Sequence, residues 1–92
     1  MQVSQVKIRR LYDEGRMKAL ASVTIDDAIA VHDIKVIEGP LRTFVAMPSR
    51  KEEGGNFRDV VHPITPEARE KIETAVLNSY FETKRQNELK SL

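Results

Sequence analysis

The sequence predicts an α+β fold, in which a small antiparallel β-sheet of four to five strands carries a C-terminal α-helix packed on it. Three observations lead to this prediction. Apolar and polar side chains alternate between Met17 and Ile25, which is typical of a strand with one buried face. Other segments are rich in β-branched residues. From Thr65 onward the apolar residues recur at helical spacing.

Length and composition indicate one small globular domain. A chain of 92 residues buries about 60–65% of its unfolded surface, so association with a second copy would ease a shortage of core. The charged fraction of 32% and the apolar fraction of 40% argue against disorder and against a membrane protein. Because cysteine is absent, disulfides and thiolate chemistry are excluded. The N-terminal segment lacks an unbroken apolar run and carries Lys7, Arg9 and Arg10, so we expect a cytoplasmic protein.

The first two strands are predicted to form a hairpin. Val3, Val6 and Ile8 lie in a segment of β-branched and polar residues, and the turn residues Asp13-Glu14-Gly15 follow. The second strand covers residues 16–25 and is the clearest in the chain. Its predicted buried face consists of Met17, Ala19, Ala21, Val23 and Ile25.

The next segment leaves two interpretations open, because its apolar positions change parity between Val31 and Ile34. A β-bulge would explain the change, since it adds one residue and re-aims the side chains. A short helix beginning after Asp27 is the alternative, because Ala30, Ile34 and Ile37 lie at helical spacing. Most apolar residues here are β-branched, which favours the bulged strand.

A second hairpin is predicted from residues 43–47 and 57–61, which have high β-propensity and flank a polar connection. Such a connection stands off the sheet, where functional residues concentrate. Phe44, Val45, Ala46 and Met47 are apolar in succession, as in a strand that is covered on both faces. One helix can cover only one face, so we expect a second subunit on the other and hence a dimer.

The C-terminal helix has a clear beginning and a polar end. Thr65 is suited to be its N-cap, Pro66 its first residue, and Glu67 is favourable near the positive end of the helix dipole. The predicted buried stripe is Ala68, Ile72, Ala75, Val76, Ser79 and Tyr80, widened by Leu77 and Phe81. Residues 83–92 are almost all polar and form either a helical extension or a loose tail. The predicted domain therefore covers residues 1–82.

No motif for catalysis or metal binding emerges. His32 and His62, even with Asp33 and Asp59, do not match the spacing of a known metal site. The chain lacks a nucleophile elbow and a glycine loop that would cradle phosphates. We therefore expect neither an enzyme nor a cofactor, a metal or a small-molecule substrate.

Clustered cations are the more informative feature. They lie at the tip of the second hairpin, on its return arm and at the start of the helix: Arg50, Lys51, Arg58, Arg69 and Lys71. Side chains of this kind neutralise nucleic-acid phosphates. A solvated loop is the simpler interpretation, and the neighbouring Glu52 and Glu53 weaken any positive field. The net charge of only +1 does not by itself indicate a nucleic-acid partner.

Five blocks in order resemble the stage V sporulation protein G (SpoVG) family. They are GRMKALASVTIDD, AVHDIKVIEGP, FVAMPSRK, FRDVVHPITPEAREKI and AVLNSYFE. The resemblance extends from Val3 to about Glu82. It implies an α+β homodimer in the bacterial cytoplasm that binds DNA and RNA with site preference. Such regulators affect spore formation and septation, or the expression of surface and virulence genes.

The resemblance also implies which residues bind nucleic acid. By match to the family's blocks these are Arg50, Lys51, Arg58, Arg69 and Lys71. The chain departs from the family at the hairpin tip, where residues 52–56 replace a Pro-Asp-Gly type of turn. This departure bears on affinity and sequence preference.

Two other functional classes remain as alternatives. The first is a protein-interaction module in cell division or transcription that makes no direct contact with nucleic acid. Its binding would show a weaker dependence on salt if apolar contacts dominate. The second is an enzyme, which would need a small-molecule pocket converging on His32 or His62. The nucleic-acid-binding regulator is the favoured interpretation.

Overall fold

A four-stranded antiparallel sheet with one helix on it forms the body of the protein, which confirms the α+β prediction. The computed structural model describes residues 1–90. In chain order the elements are β1 (Val3–Leu11), β2 (Met17–Ile25), β3 (Ile29–Glu38), β4 (Thr43–Ala46), β5 (Ser49–Lys51), β6 (Phe57–Asp59) and α1 (Pro66–Lys90). Strands β1 to β4 neighbour one another in that order, whereas β5 and β6 form a separate two-stranded sheet.

The parity change in β3 is a β-bulge, as the sequence predicts. Val31 pairs with Val23 and Ile34 pairs with Ala21, so one more residue lies between the pairs on β3 than on β2. The extra length is absorbed at Asp33, whose φ of 62° lies in the left-handed region that aspartate tolerates better than most residues. The bulge therefore lets both Val31 and Ile34 reach the core. The alternative short helix is wrong.

The second hairpin differs from its prediction in both arms. Strand β4 pairs with β3 instead of with the residue 57–61 segment, because the Gly39 N–H donates to the Arg42 carbonyl at 2.9 Å and turns the chain back. The outgoing arm of the hairpin is β5, which begins beyond Pro48, and its return arm ends at Asp59. The Val60 N–H donates to the Pro48 carbonyl at 2.8 Å and closes the base of the hairpin.

The core lies between the sheet and the helix. Its buried residues come from β2, β3, the residue after β4 and α1: Ala19, Ala21, Val23, Val31, Ile34, Val36, Met47, Ile72, Val76 and Tyr80. The helix contacts all four strands of the main sheet. Its predicted stripe is confirmed at Ile72, Val76 and Tyr80. Phe81, predicted to widen the stripe, is instead 49% exposed and its ring lies 5.0 Å from that of Tyr80, centroid to centroid.

The helix continues well beyond the predicted domain boundary at residue 82. It runs to Lys90, so a helical extension describes residues 83–90, while positions 91–92 of the predicted tail lie outside the described residues. At the start of the extension the Arg85 guanidinium donates to the carboxylate of Glu82, the last residue of the predicted domain, at 2.7 Å. This hydrogen bond and the positive charge of Arg85 hold the pKa of Glu82 below its usual range.

The start of the helix is capped as the sequence predicts. The Thr65 Oγ1 accepts a hydrogen bond from the Ala68 N–H at 3.1 Å, and Pro66 is the first helical residue. We expect Thr65→Ala to lower the free energy of unfolding by about 1 kcal/mol, because it leaves this N–H without its partner. Urea denaturation measures the change. Thr65→Ser keeps the hydroxyl and is the control, and equal losses in both variants would contradict the capping role.

Candidate nucleic-acid interface

The β5–β6 hairpin stands away from the rest of the fold, as predicted for the polar connection. Within the described part of the chain, neither of its strands packs against another helix or strand. At the tip the Glu52 N–H donates to the Asn56 carbonyl at 2.7 Å, which closes the loop on itself. Gly54 and Gly55 have φ angles of 91° and 88°, which glycine adopts without strain. The hairpin is therefore a self-contained arm.

The hairpin presents cations on both of its faces. Arg50 and Arg58 are directly opposite each other in the ladder, so their side chains share one face. Lys51 pairs with Phe57 and, being the next residue along the strand, lies on the other face. Like charges placed opposite each other repel, and a bound anion between Arg50 and Arg58 would relieve that repulsion.

The acidic residues at the tip neutralise only part of this charge. The Arg58 Nε donates to the Glu52 carboxylate at 3.1 Å, in an ion pair whose side chains are both well exposed to solvent. Exposed pairs of this kind contribute about 0–1 kcal/mol and break readily in favour of a better partner. Between residues 1 and 90, neither Arg50 nor Lys51 forms an ion pair. Two of the three hairpin cations therefore face solvent uncompensated.

The two predicted helix cations diverge from each other. The Lys71 Nζ donates to the Met1 carbonyl at 3.0 Å, on the side of the helix that faces the start of the chain. Arg69 lines a small crevice with Val45 and Pro63, at the β4 end of the sheet. Residues two apart on a helix do not share a face, which explains the divergence. The structure thus gathers Arg50, Lys51 and Arg58 on one arm but separates Arg69 from Lys71.

A polar cluster on the sheet face opposite the helix has no counterpart in the sequence predictions. The Arg9 Nε donates to the Ser22 Oγ at 3.3 Å, and the Ser22 Oγ lies 2.8 Å from the His32 Nδ1. Lys7 is the direct partner of Ser22 in the β1–β2 register. Alternation of Lys7 and Arg9 with the apolar Ile8 is the sequence signal that could have placed both cations on this face.

The histidines and their aspartate neighbours do not form a metal site. His32 is engaged with Ser22, whereas the His62 Nδ1 lies 3.2 Å from the carbonyl of Pro63 outside any strand. Residues 1–90 contain no group of three or more His, Cys, Asp or Glu side chains that could hold a metal ion.

Another groove lies between the start of the chain and the helix and has a volume of about 570 Å³. Its lining residues are Met1, Gln2, Val3, Glu67, Glu70, Lys71, Thr74 and Ala75. Neither histidine lines it, although the enzyme interpretation requires a pocket that converges on one of them. His32 lines two other grooves, of about 450 and 220 Å³.

No helix within residues 1–90 has both the length and the apolar character needed to cross a membrane. Helix α1 packs its buried residues Ile72, Val76 and Tyr80 into the core and carries many charged side chains.

Comparison with known proteins identifies the family. The SpoVG family model matches residues 1–82. Proteins named "Putative septation protein SpoVG" are similar over most of their length. That of Clostridium beijerinckii is 56% identical over 80 residues, which cover 87% of this chain and 88% of the relative. That of Clostridium acetobutylicum is 50% identical over 91 residues, which cover 99% of this chain and 96% of the relative. That of Finegoldia magna is 57% identical over 82 residues, which cover 89% of this chain and 76% of the relative. The match to the family model ends within α1. The chain belongs to the SpoVG family.

Proposed function

We propose that the protein is a site-preferring DNA- and RNA-binding regulator that acts as a homodimer in the bacterial cytoplasm and takes part in septation and sporulation. The role in septation rests on family membership and on the name that its relatives carry. The observation that carries nucleic-acid binding is the free-standing hairpin with cations on both faces. No catalytic step, cofactor or metal enters this function.

The shape of the hairpin suits a nucleic-acid groove. A two-stranded β-ribbon fits the major groove of B-DNA, which is about 12 Å wide. With Arg50 and Arg58 on one face and Lys51 on the other, a ribbon in the groove would meet phosphates on both of its sides. Such contacts fix the position of the protein on the duplex, while base edges supply sequence preference.

Dimerisation is supported by apolar side chains that the monomer leaves in water. Four of them follow one another closely at and beyond the return arm: Phe57, Val60, Val61 and Ile64. Ile64 is 86% exposed and Phe57 is 70% exposed. A second subunit that covers this strip would bury apolar area and set two hairpins on one assembly. Linked sites raise avidity without new contacts.

The test is a binding titration with duplex DNA over a range of salt concentrations. If the three hairpin cations of both subunits each neutralise one phosphate, six contacts give a slope of log K against log salt of about −5 or steeper. Single-stranded DNA and RNA of the same sequence establish the preferred ligand. Light scattering on the same samples is expected to give twice the mass of one chain. A slope near zero would overturn the proposal.

The exposed apolar strip also favours a second candidate, a protein-interaction module without nucleic-acid contact. In that case the strip itself docks a division or transcription component. Binding to that component would be largely insensitive to salt and would persist after loss of Arg50 and Lys51. The salt titration therefore separates the two candidates.

A further inference from the structure

The open face of the sheet, on the side away from the helix, is organised around a single buried hydroxyl. Ser22 on the central strand β2 is only 8% exposed, and it is the one buried polar residue in the described chain. The Ser22 Oγ accepts a hydrogen bond from the Arg9 Nε of β1. On its other side it lies within hydrogen-bond distance of the His32 Nδ1 of β3. One hydrogen-bonded chain of side chains thus spans three strands.

Two β-bulges aim the flanking side chains at this serine. The β1–β2 register shifts between Ile8 and Arg10, so Arg9 is the additional residue of β1 at that point. The β3 bulge places His32 beside the left-handed Asp33, across from Ser22. Bulges re-aim side chains and are frequent next to functional sites. Two of them converge here on one position of the strand between them.

A groove of about 220 Å³ covers the cluster, and its lining favours an anion. It is lined by Gln5, Lys7, Arg9, Ser22, Val23, Thr24, Ala30 and His32, a set with two cations and no carboxylate. Only the Nε of Arg9 is used by Ser22, which leaves its terminal nitrogens as donors. Lys7 has an ammonium group in the same groove.

His32 connects this groove to the hairpin. It also lines a neighbouring groove of about 450 Å³, which lies between β3 and the hairpin and which Lys35 and Arg50 share. A route lined by the cations Lys7, Arg9, Lys35 and Arg50 therefore passes His32, and Asp33 is the one carboxylate among the residues that line the second groove. A nucleic-acid backbone, with a phosphate at every nucleotide, is the polyanion that fits a route with several separate cationic positions.

We propose that Lys7 and Arg9, held around Ser22 and His32, bind a backbone phosphate of the same nucleic acid that the hairpin contacts. This proposal rests on the proposed function and extends its interface from the hairpin to the open face of the sheet. One such phosphate per subunit adds two contacts to the six of a dimer's hairpins. The salt slope on duplex DNA then steepens from about −5 to about −7.

The experiment compares the slope of the wild type with that of Lys7→Gln/Arg9→Gln. The salt slope of the double variant is expected to be about −5 instead of about −7, because the variant loses two phosphate contacts per dimer. Lys84→Gln/Lys90→Gln is the control with the same change of net charge, and its cations lie near the far end of the helix. It should keep the wild-type slope. Circular dichroism verifies that each variant is folded.

If the double variant folds poorly, Lys7→Gln alone tests the proposal. Lys7 makes none of the hydrogen bonds that join Arg9, Ser22 and His32, so its replacement leaves them in place. The Lys7→Gln variant is expected to bind duplex DNA about a hundredfold more weakly at low salt, as for the loss of one charged hydrogen bond in each subunit of the dimer. A second titration uses inorganic phosphate alone. Binding of inorganic phosphate at this groove, with the DNA slope unchanged in the variants, would overturn the proposal in favour of a small-anion site.

The outcomes also separate this proposal from the function on which it rests. A steep wild-type slope that the open-face variants leave unchanged overturns the open-face site and leaves the hairpin interface intact. A wild-type slope near zero overturns both.

Discussion

Ile34→Ala is expected to lower the free energy of unfolding by about 2–5 kcal/mol, the largest effect of any single substitution considered. Ile34 is 0% exposed, lies immediately after the β3 bulge and belongs to the same core cluster as Val23, Val36 and Val76. Truncation removes three carbons and leaves a cavity that the bulge and the helix restrict from closing. A domain of this size has a total stability of about 5–15 kcal/mol, so the loss is a large fraction of it.

Urea denaturation with circular dichroism measures this change. Ile29→Ala on the same strand is the matched control, because Ile29 is 60% exposed and its truncation makes no cavity. A change within about 0.5 kcal/mol is expected for it. Equal losses in the two variants would show that Ile34 does not have the central position in the core that the structure gives it.

Arg50→Ala/Lys51→Ala is expected to have the largest effect on binding. In a dimer it removes four of the proposed phosphate contacts, so the salt slope on duplex DNA should become shallower by about 3 to 4. Affinity should fall most at low salt, where counterion release contributes most. The fold should remain stable within about 0.5 kcal/mol, because both side chains project from a hairpin that packs on no other helix or strand of residues 1–90.

The acidic residues at the tip provide a control of opposite sign. Glu52→Gln/Glu53→Gln removes two negative charges from the same loop and frees Arg58 from its 3.1 Å ion pair with Glu52. Tighter binding is expected from this variant. If both double variants leave the affinity for DNA unchanged, the hairpin does not contact nucleic acid.

The main features of the core follow from the local pattern of residues. The alternation in β2 correctly predicts Ala19, Ala21 and Val23 as core residues, because a strand with one buried face must alternate. The parity change between Val31 and Ile34 predicts the bulge, since both residues are apolar and only an extra residue lets both face inward. Capping at Thr65 is equally local.

The β1–β2 pairing was predicted, whereas the partner of β4 and the Arg9–Ser22–His32 cluster were beyond the sequence. Phe44 and its neighbours have the same β-propensity whether β4 pairs with β3 or with the return arm of the hairpin, and the turn from Gly39 to Arg42 decides in favour of β3. The Arg9–Ser22–His32 cluster joins residues 10 to 13 positions apart on three strands, so it emerges only when the register and both bulges are known.

The candidate site shows the same limit. Adjacency of Arg50 and Lys51 in sequence suggested one basic pair, yet their positions in a strand place them on opposite faces of the hairpin. Arg69 and Lys71 are similarly close in sequence and directed apart on the helix. The periodicity of a helix or strand tells which side chains share a face once the type of element is known. Strand β5 has only three residues, which is too short for its periodicity to be recognised in the sequence.

The self-closed tip of the hairpin has a consequence for how this protein can diverge from its relatives. Its turn is completed by contacts between Glu52 and Asn56 and by the two glycines, without help from the sheet or the helix. Mutations, insertions and deletions in residues 52–56 therefore leave the folding of the body untouched. Under the proposed function, selection can alter ligand choice through this loop while the core remains constant. Changes in recognition and the maintenance of stability then act on separate parts of the chain.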